Sequence, residues 1–276
     1  MVVLRDSAAG PEVFLVRRHE GTAFMGGAHV FPGGRVDEVD RDGDATWCDG
    51  IDHAVRQLPD VDRALAIAFH VAATRELFEE AGVLLARDSS GATVAPGDEA
   101  RHRLAGDRHE IHDGRLRLRA LIAREQLRLS LDDLVLVAHW VTPPIDTRQF
   151  DTRFFLARVP PGQTPAHDES ETTHSAWLTA GAAIAAAARG EITLPPPTWT
   201  TLRELQRFAT VDAALAWART RRIARRQPKM FETGGHRMLV LPGDPLYPEA
   251  SDPEQPVETR FVLVDKRWRA ERAPSA

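Results

Sequence analysis

One cysteine, Cys48, is all that the 276 residues contain. An internal disulfide is therefore excluded, and the composition fits a reducing compartment. Long apolar runs are also scarce. The stretch GAAIAAAA at 181–188 is too short and too alanine-rich to cross a bilayer. A basic excess is lacking as well: 35 Lys and Arg stand against 40 Asp and Glu, for a formal net charge of −5. Broad, sequence-independent nucleic-acid binding needs a basic field that such a chain does not have. The opening MVVLRDSAAGPEVFLVRR is not a basic stretch followed by a long apolar segment, so it does not read as a secretory leader. The closing ERAPSA is not an address of the SKL type. These absences predict a soluble cytoplasmic protein without nucleic-acid or membrane partners. Its 43% hydrophobic residues suffice for a sizeable core in one large domain or two modest ones.

Along the chain, EVFLVRR (12–18) reads as a strand, and GGAHVFPGGR (26–35) as a short apolar piece enclosed by glycines. Residues 36–60 are rich in Asp and Gly and read as a polar surface insertion. A helix is predicted over 61–81, capped by Asp60 or Asp62 and ended by Gly82. Residues 99–130 form a second helical segment by spacing. Stretches 134–143 and 152–160 read as strands, 165–178 as an acidic loop running into a strand, and 179–189 and 200–226 as helices parted by LPPPT (194–198). From 227 the chain reads as an irregular extension, with a strand-like TRFVLVD at 259–265. Its LPGDPLYP segment suits a lid, an exchange with a partner chain or a packed terminus.

The stretch TRELFEEAG (74–82) sets three glutamates, Glu76, Glu79 and Glu80, within five positions. On a helix they share one face, and like charges there repel. Three carboxylates on one turn form an oxygen-rich trap for a hard cation such as Mg²⁺ or Mn²⁺, and a bound dication offsets the repulsion. A solvated acidic face is the ordinary alternative. His29 and His70 lack the spacing of a zinc pair, and GGAHVFPGG is neither a phosphate loop nor a dinucleotide fingerprint. Cys48 has no nearby His–acid pattern and reads as an inert thiol.

The whole string RELFEEAGV (75–83) resembles, at every fixed position, the core of the Nudix box, and FPGGRVDEVD (31–40) resembles its glycine opening. The spacing departs from the family. Arg75 follows Gly34 by 41 residues, 27 more than the usual 14, and residues 36–60 account for the excess. The glutamate normally six residues after the glycine is missing. Counting forward gives Asp40, counting back from Arg75 gives Ile67, and Asp40 or Asp37 is the preferred substitute. A box split at this place resembles the branch that includes peroxisomal coenzyme A diphosphatases. FMGGAHVFPGGRVD (24–37), AATRELFEEAGVLL (72–85), HWVTPPIDTRQFDTRFFLA (139–157) and AWL (176–178) carry that likeness, over roughly residues 12 to 200.

The resemblance implies an α/β fold: a Nudix α/β/α sandwich with a mixed sheet, a helical insertion and a C-terminal extension, divided as a hydrolase domain over 1–226 and an extension over 227–276. It implies Mg²⁺- or Mn²⁺-dependent cleavage of a diphosphate in a small nucleotide-type substrate. Glu79 and Glu80 would be the primary metal ligands, with Glu76 completing the site or orienting water, a backbone carbonyl of Gly33 or Gly34 assisting, and Arg75 fixing the carboxylates. Of the loop acids Asp168, Glu169 and Glu171, Glu171 is favoured as the additional catalytic residue. Arg17, Arg18, Arg35 and Arg153 are candidates to meet phosphates, and Trp140, Phe155 or Trp177 to stack on a base, although the surface is the ordinary place for such arginines and the core for such aromatics. Coenzyme A or acyl-CoA is the first substrate implied. The alternatives are ADP-ribose, NADH or a nucleotide sugar, or else a non-catalytic Nudix-like ligand-binding module, against which the intact Arg75, Glu76, Glu79 and Glu80 argue. A homodimer is compatible with all of these.

Overall fold

The computed structural model describes the chain apart from residues 23–24, 144–148, 169–171, 248, 250–251, 253, 266 and 274–276. In chain order the elements begin with β1 (Val2–Arg5), β2 (Glu12–Arg18), β3 (His29–Val30), a 3₁₀ turn (Glu38–Asp42), β4 (Cys48–Asp49), α1 (Ile51–Gln57) and α2 (Arg63–Ala81). They continue with β5 (Ala86–Arg87), α3 (Asp98–His112), α4 (Leu118–Arg124), β6 (Arg128–Ser130), a 3₁₀ turn (Leu131–Asp133), β7 (Val135–Val141) and β8 (Asp151–Arg158). Then come β9 (Thr172–Thr179), α5 (Ala180–Ala188), α6 (Pro196–Leu205), α7 (Val211–Thr220), β10 (Arg225–Arg226), β11 (Lys229–Thr233), β12 (His236–Val240), β13 (Arg260–Val264) and β14 (Arg267–Glu271).

A mixed sheet in the order β10-β7-β8-β1-β2-β3, with β9 also paired to β2, forms the middle layer. β1 runs parallel to β8, and most other neighbours are antiparallel. Strand residues alternate between faces, and the core follows that alternation. Val2, Leu4, Val13 and Leu15 pack towards α5, α6 and α7 through Ala183, Leu202, Leu205, Val211 and Leu215. Val3, Phe14 and Val16 pack the other way, against Leu77 and Ala81 of α2. Both faces being covered, β7 is buried along its whole length. This is the expected α/β/α sandwich.

Several expectations are corrected. The insertion 36–60 is not a polar surface loop. It holds a 3₁₀ turn, β4 and α1, and it buries Trp47, Cys48, Ile51 and Ala54 against Phe78 of α2 and against Leu118, Leu121 and Ile122 of α4. β4 pairs with β6, and β6 with β5, so the insertion and the helical segment after residue 98 form one subassembly beside α2. The region 200–226 is two helices and a short strand, and α6 begins inside the proline run at Pro196. A proline at a first helical position gives up only an N–H that would have no helical partner anyway. The opening segment, which does not read as a leader, contributes β1, paired in parallel with β8. The tail is not irregular: β11 to β14 form an antiparallel meander. Its Leu239, Leu241 and Phe261 pack on Ala138 and Trp140, covering that end of the main sheet. The turn after β12 is packed too, with both carboxylate oxygens of buried Asp244 accepting hydrogen bonds from the Nε–Nη2 edge of the Arg260 guanidinium.

α1 and α2 are tied to β7 by a buried polar network. The Nδ1–H of His70 donates to the Ala66 carbonyl at 2.8 Å, and the Gln57 amide lies 3.0 Å from its Nε2 and 2.9 Å from the Leu134 carbonyl. Burial pushes the His70 imidazole down to about 4. The unfolded chain, with an ordinary histidine, binds the proton more readily, so this stabilising contribution is full above about pH 6.5 and fades as pH falls towards 4. The conformational stability of the parent is expected to drop by roughly 2–3 kcal/mol across that window. His70→Asn should flatten the slope in urea titrations at several pH values. An unaltered slope in the variant would remove His70 from this role.

Candidate active site

α2 is fixed at both ends. The Asp62 side chain accepts from the Leu65 N–H at 2.8 Å, and Gly82 closes the helix with a left-handed φ of +68°. Between them the helix is flanked by the sheet on one side and the insertion subassembly on another. Arg75, Glu79 and Glu80 are buried as a result, and buried charges require partners.

Arg75, 6% exposed, is the hub. Its Nε and Nη2 grip the two oxygens of Asp40 at 2.9 and 3.0 Å. Nη1 donates to Glu76 at 2.9 Å and to Glu79 at 3.0 Å, and Nη2 also donates to the Arg35 carbonyl at 2.8 Å. Burial by itself works against the guanidinium charge, but the Asp40 hydrogen bonds and the fields of Glu76, Asp40 and Glu79 outweigh it and raise the pKa. Burial raises the Glu79 carboxyl, with Arg75 acting in the opposite direction. Asp40, 1% exposed, is thus the two-point partner of the buried guanidinium. Asp37 lies farther from Arg75, at 3.6 Å, while Ile67 is a core residue of the insertion subassembly.

The glycine turn closes over these carboxylates. The Gly33 N–H donates to Glu80 Oε2 at 2.8 Å. Gly34 is pressed against Glu76: a Cβ there would stand 2.4 Å from both of its carboxylate oxygens, so the turn or that side chain would have to shift. Gly34→Ala is therefore expected to displace the turn or Glu76 and to lower turnover at least about tenfold, since misplaced catalytic groups lose rate steeply. A steady-state assay with full metal titration checks this, and parental turnover would contradict the packing.

α3 adds two residues that no motif marks. The Arg108 Nε–H donates to the Glu79 carbonyl at 2.6 Å, and His112 Nδ1 lies 4.0 Å from Glu79 Oε2. Burial lowers the Arg108 pKa, while Asp168 and Glu80 raise it. Only the tertiary path of α3 brings these side chains here, and nothing in their local sequence announces it.

The other expected residues are distributed as follows. Glu171 and Glu169 lie outside the described residues. Asp168 is in the field of Arg108. Arg35 follows the glycine turn, with its guanidinium over the Phe150 ring. Arg17 pairs with Glu20 at 2.7 Å. Arg153, its side chain 3% exposed, is held by Asp60 and Asp151 over the Phe69 ring. Trp177 packs on Phe14 beneath the Arg5 guanidinium. Arg17, Arg153 and Trp177 are thus engaged with residues other than the carboxylates of α2. Trp140 and Phe155 are core residues. Cys48 is buried, and burial pushes its thiol up to about 12, as befits an inert thiol.

Around Arg75 and Arg108 the carboxylates of Asp40, Glu76, Glu79, Glu80 and Asp168 outnumber the guanidiniums, which leaves place for added positive charge. Among the described residues no three acidic, imidazole or thiol groups close round a single point: Glu76 and Glu79 turn to Arg75, and Glu80 turns to Gly33. The donors are hard oxygens at positions i, i+3 and i+4 of one helix, and that chemistry fits a hard dication.

A mixed sheet between helical layers, with a carboxylate helix closed by a glycine turn, is the arrangement of a Nudix hydrolase. Residues 61–207 match the family described as the NUDT19 Nudix domain. The human protein named acyl-coenzyme A diphosphatase NUDT19 is 32% identical over 281 residues, covering 89% of this chain and 74% of that protein. Its Xenopus laevis counterpart is 25% identical, covering 94% and 77%. The crystal structure of a NUDIX hydrolase from Alicyclobacillus acidocaldarius superposes with a TM-score of 0.63 at 26% identity, over 78% of this chain and 92% of that one. The chain belongs to the Nudix hydrolases of the NUDT19 type, enzymes that work with divalent cations. The domain match begins after the glycine turn, so it is the structure that joins residues 31–40 to the matched helix.

Proposed function

We propose that this enzyme hydrolyses the diphosphate of coenzyme A or acyl-CoA, with Mg²⁺ or Mn²⁺ held by Glu79 and Glu80 and completed by Glu76. The observation that carries the reading is the complete carboxylate set, gathered on Arg75 and closed by Gly33, in a chain similar over nearly nine-tenths of its length to a human protein named for acyl-CoA cleavage. When bound, the dication neutralises charge that develops on the phosphoryl oxygens. The protein's share is positional. Arg75 holds Glu76 and Glu79 in register, the Gly33 N–H orients Glu80, and a carboxylate of this set receives the proton of the attacking water. Water adds to one phosphorus, and the bridging P–O bond breaks. With coenzyme A the products are 4′-phosphopantetheine and adenosine 3′,5′-bisphosphate. A cytoplasmic setting belongs to the same proposal and is supported by the single buried thiol.

Incubation of the purified protein with coenzyme A and either metal, in water enriched in heavy oxygen, tests the reading by mass spectrometry. Those two products are expected, and the label identifies the attacked phosphorus. Absence of cleavage with both metals, alongside turnover of ADP-ribose, NADH or a nucleotide sugar, would overturn the substrate assignment.

A further inference from the structure

Arg108 stands outside both halves of the motif, yet α3 brings it to the C-terminal end of the carboxylate helix. Its Nε–H caps the Glu79 carbonyl at 2.6 Å. The guanidinium lies beside Gly82, whose left-handed φ of +68° ends the helix there. Nη2 is buried and has no hydrogen-bond partner among the described residues. An unmade buried donor is costly, more so on a charged group. The capping bond uses only the Nε–H of a rigid planar fork, and a cap needs no more than that. Asp168 and Glu80 are the acids in its field, so the guanidinium borders the carboxylates to which the cation and the diphosphate are assigned above. Phosphate oxygens match the fork in charge and geometry.

We propose that Arg108 is a substrate-contacting arginine of this site, its Nη2 donating to a non-bridging oxygen of the diphosphate. The inference rests on the diphosphatase reading and extends it: the helical segment after residue 98 supplies part of the active site. A purely structural role, tying α3 to the end of α2, is the competing account.

Calorimetric titration of the full chain with imidodiphosphate in Mg²⁺ separates the two. Arg108→Lys keeps the charge and loses the fork. It is expected to weaken imidodiphosphate binding by at least about tenfold, the loss expected for a charge-assisted hydrogen bond. Mg²⁺ affinity measured without diphosphate should stay within about twofold, because lysine preserves the local charge. The thermal midpoint should fall only slightly, by what the lost cap on the Glu79 carbonyl contributes. Arg108→Ala is expected to recover part of its turnover when guanidinium is added, an effect that a structural tie would not produce. Parental imidodiphosphate binding by Arg108→Lys, or an equal weakening for Mg²⁺ alone, would overturn the proposal. If Arg108→Ala does not fold, Arg108→Lys decides by itself. A parent protein that leaves coenzyme A intact would refute the substrate reading, whereas imidodiphosphate binding would still decide the role of Arg108.

Discussion

Glu79→Gln and Glu80→Gln are each expected to lower turnover by about 10²–10³-fold, because a dication at a phosphoryl centre contributes several kcal/mol and each 1.36 kcal/mol is tenfold in rate. The fold should survive. In Glu79→Gln, Arg75 keeps its two-point grip on Asp40 and its bond to Glu76, and a buried carboxyl whose ionisation burial opposes is removed. The variant should therefore melt no earlier than the parent, in keeping with catalytic sites that are held at some expense of stability. Turnover and calorimetric melting on the same preparations check both halves. Parental turnover in the two variants would show that these carboxylates do not carry the chemistry.

Asp40→Asn should act through the fold as well as the site. The carboxylate is 1% exposed and is the two-point partner of a buried guanidinium. Breaking a buried pair from one side costs about 3–5 kcal/mol. Arg75 retains Glu76 and Glu79, so about 2–3 kcal/mol is expected. Turnover should fall too, because Arg75 would no longer be held against the glycine turn. An exposed pair would give only about 0.2–1 kcal/mol, so urea denaturation discriminates between the two cases. A loss below about 0.5 kcal/mol would place the Asp40–Arg75 pair with ordinary surface pairs.

The carboxylate helix and its caps were legible because helical spacing, an aspartate at the start and a glycine at the end act locally. The strands around 12–18, 134–143 and 152–160 declared themselves by unbroken β-forming residues. The tail did not. β14 alternates exposed with half-buried positions, and such an arginine-rich strand reads as polar until a neighbouring sheet covers one face. The insertion misled in the same way, since its Asp and Gly residues hid Trp47, Ile51 and Ala54, which become core only against α4. Within the site, Arg75, Glu76, Glu79, Glu80 and the glycine pair could be read from pattern, and counting forward from Gly34 found Asp40. Arg108 and His112 could not, because they reach Glu79 by the path of α3 and not by sequence spacing.

The bridge between Asp40 and Arg75 has a consequence for how such enzymes can diversify. Selection on the active centre acts on a closed ring of charges in space, and the length of chain between its halves is nearly free. Lengthening that interval from 14 residues to 41 adds only about 1 kcal/mol of closure entropy, a loss that the buried residues of the insertion offset. New structure can therefore accrete between the two halves without disturbing the chemistry, and in this chain it has grown into a wall of the helix it interrupts. A lineage of such enzymes can alter its surroundings freely at this one seam, while any pattern that demands contiguous residues passes it by.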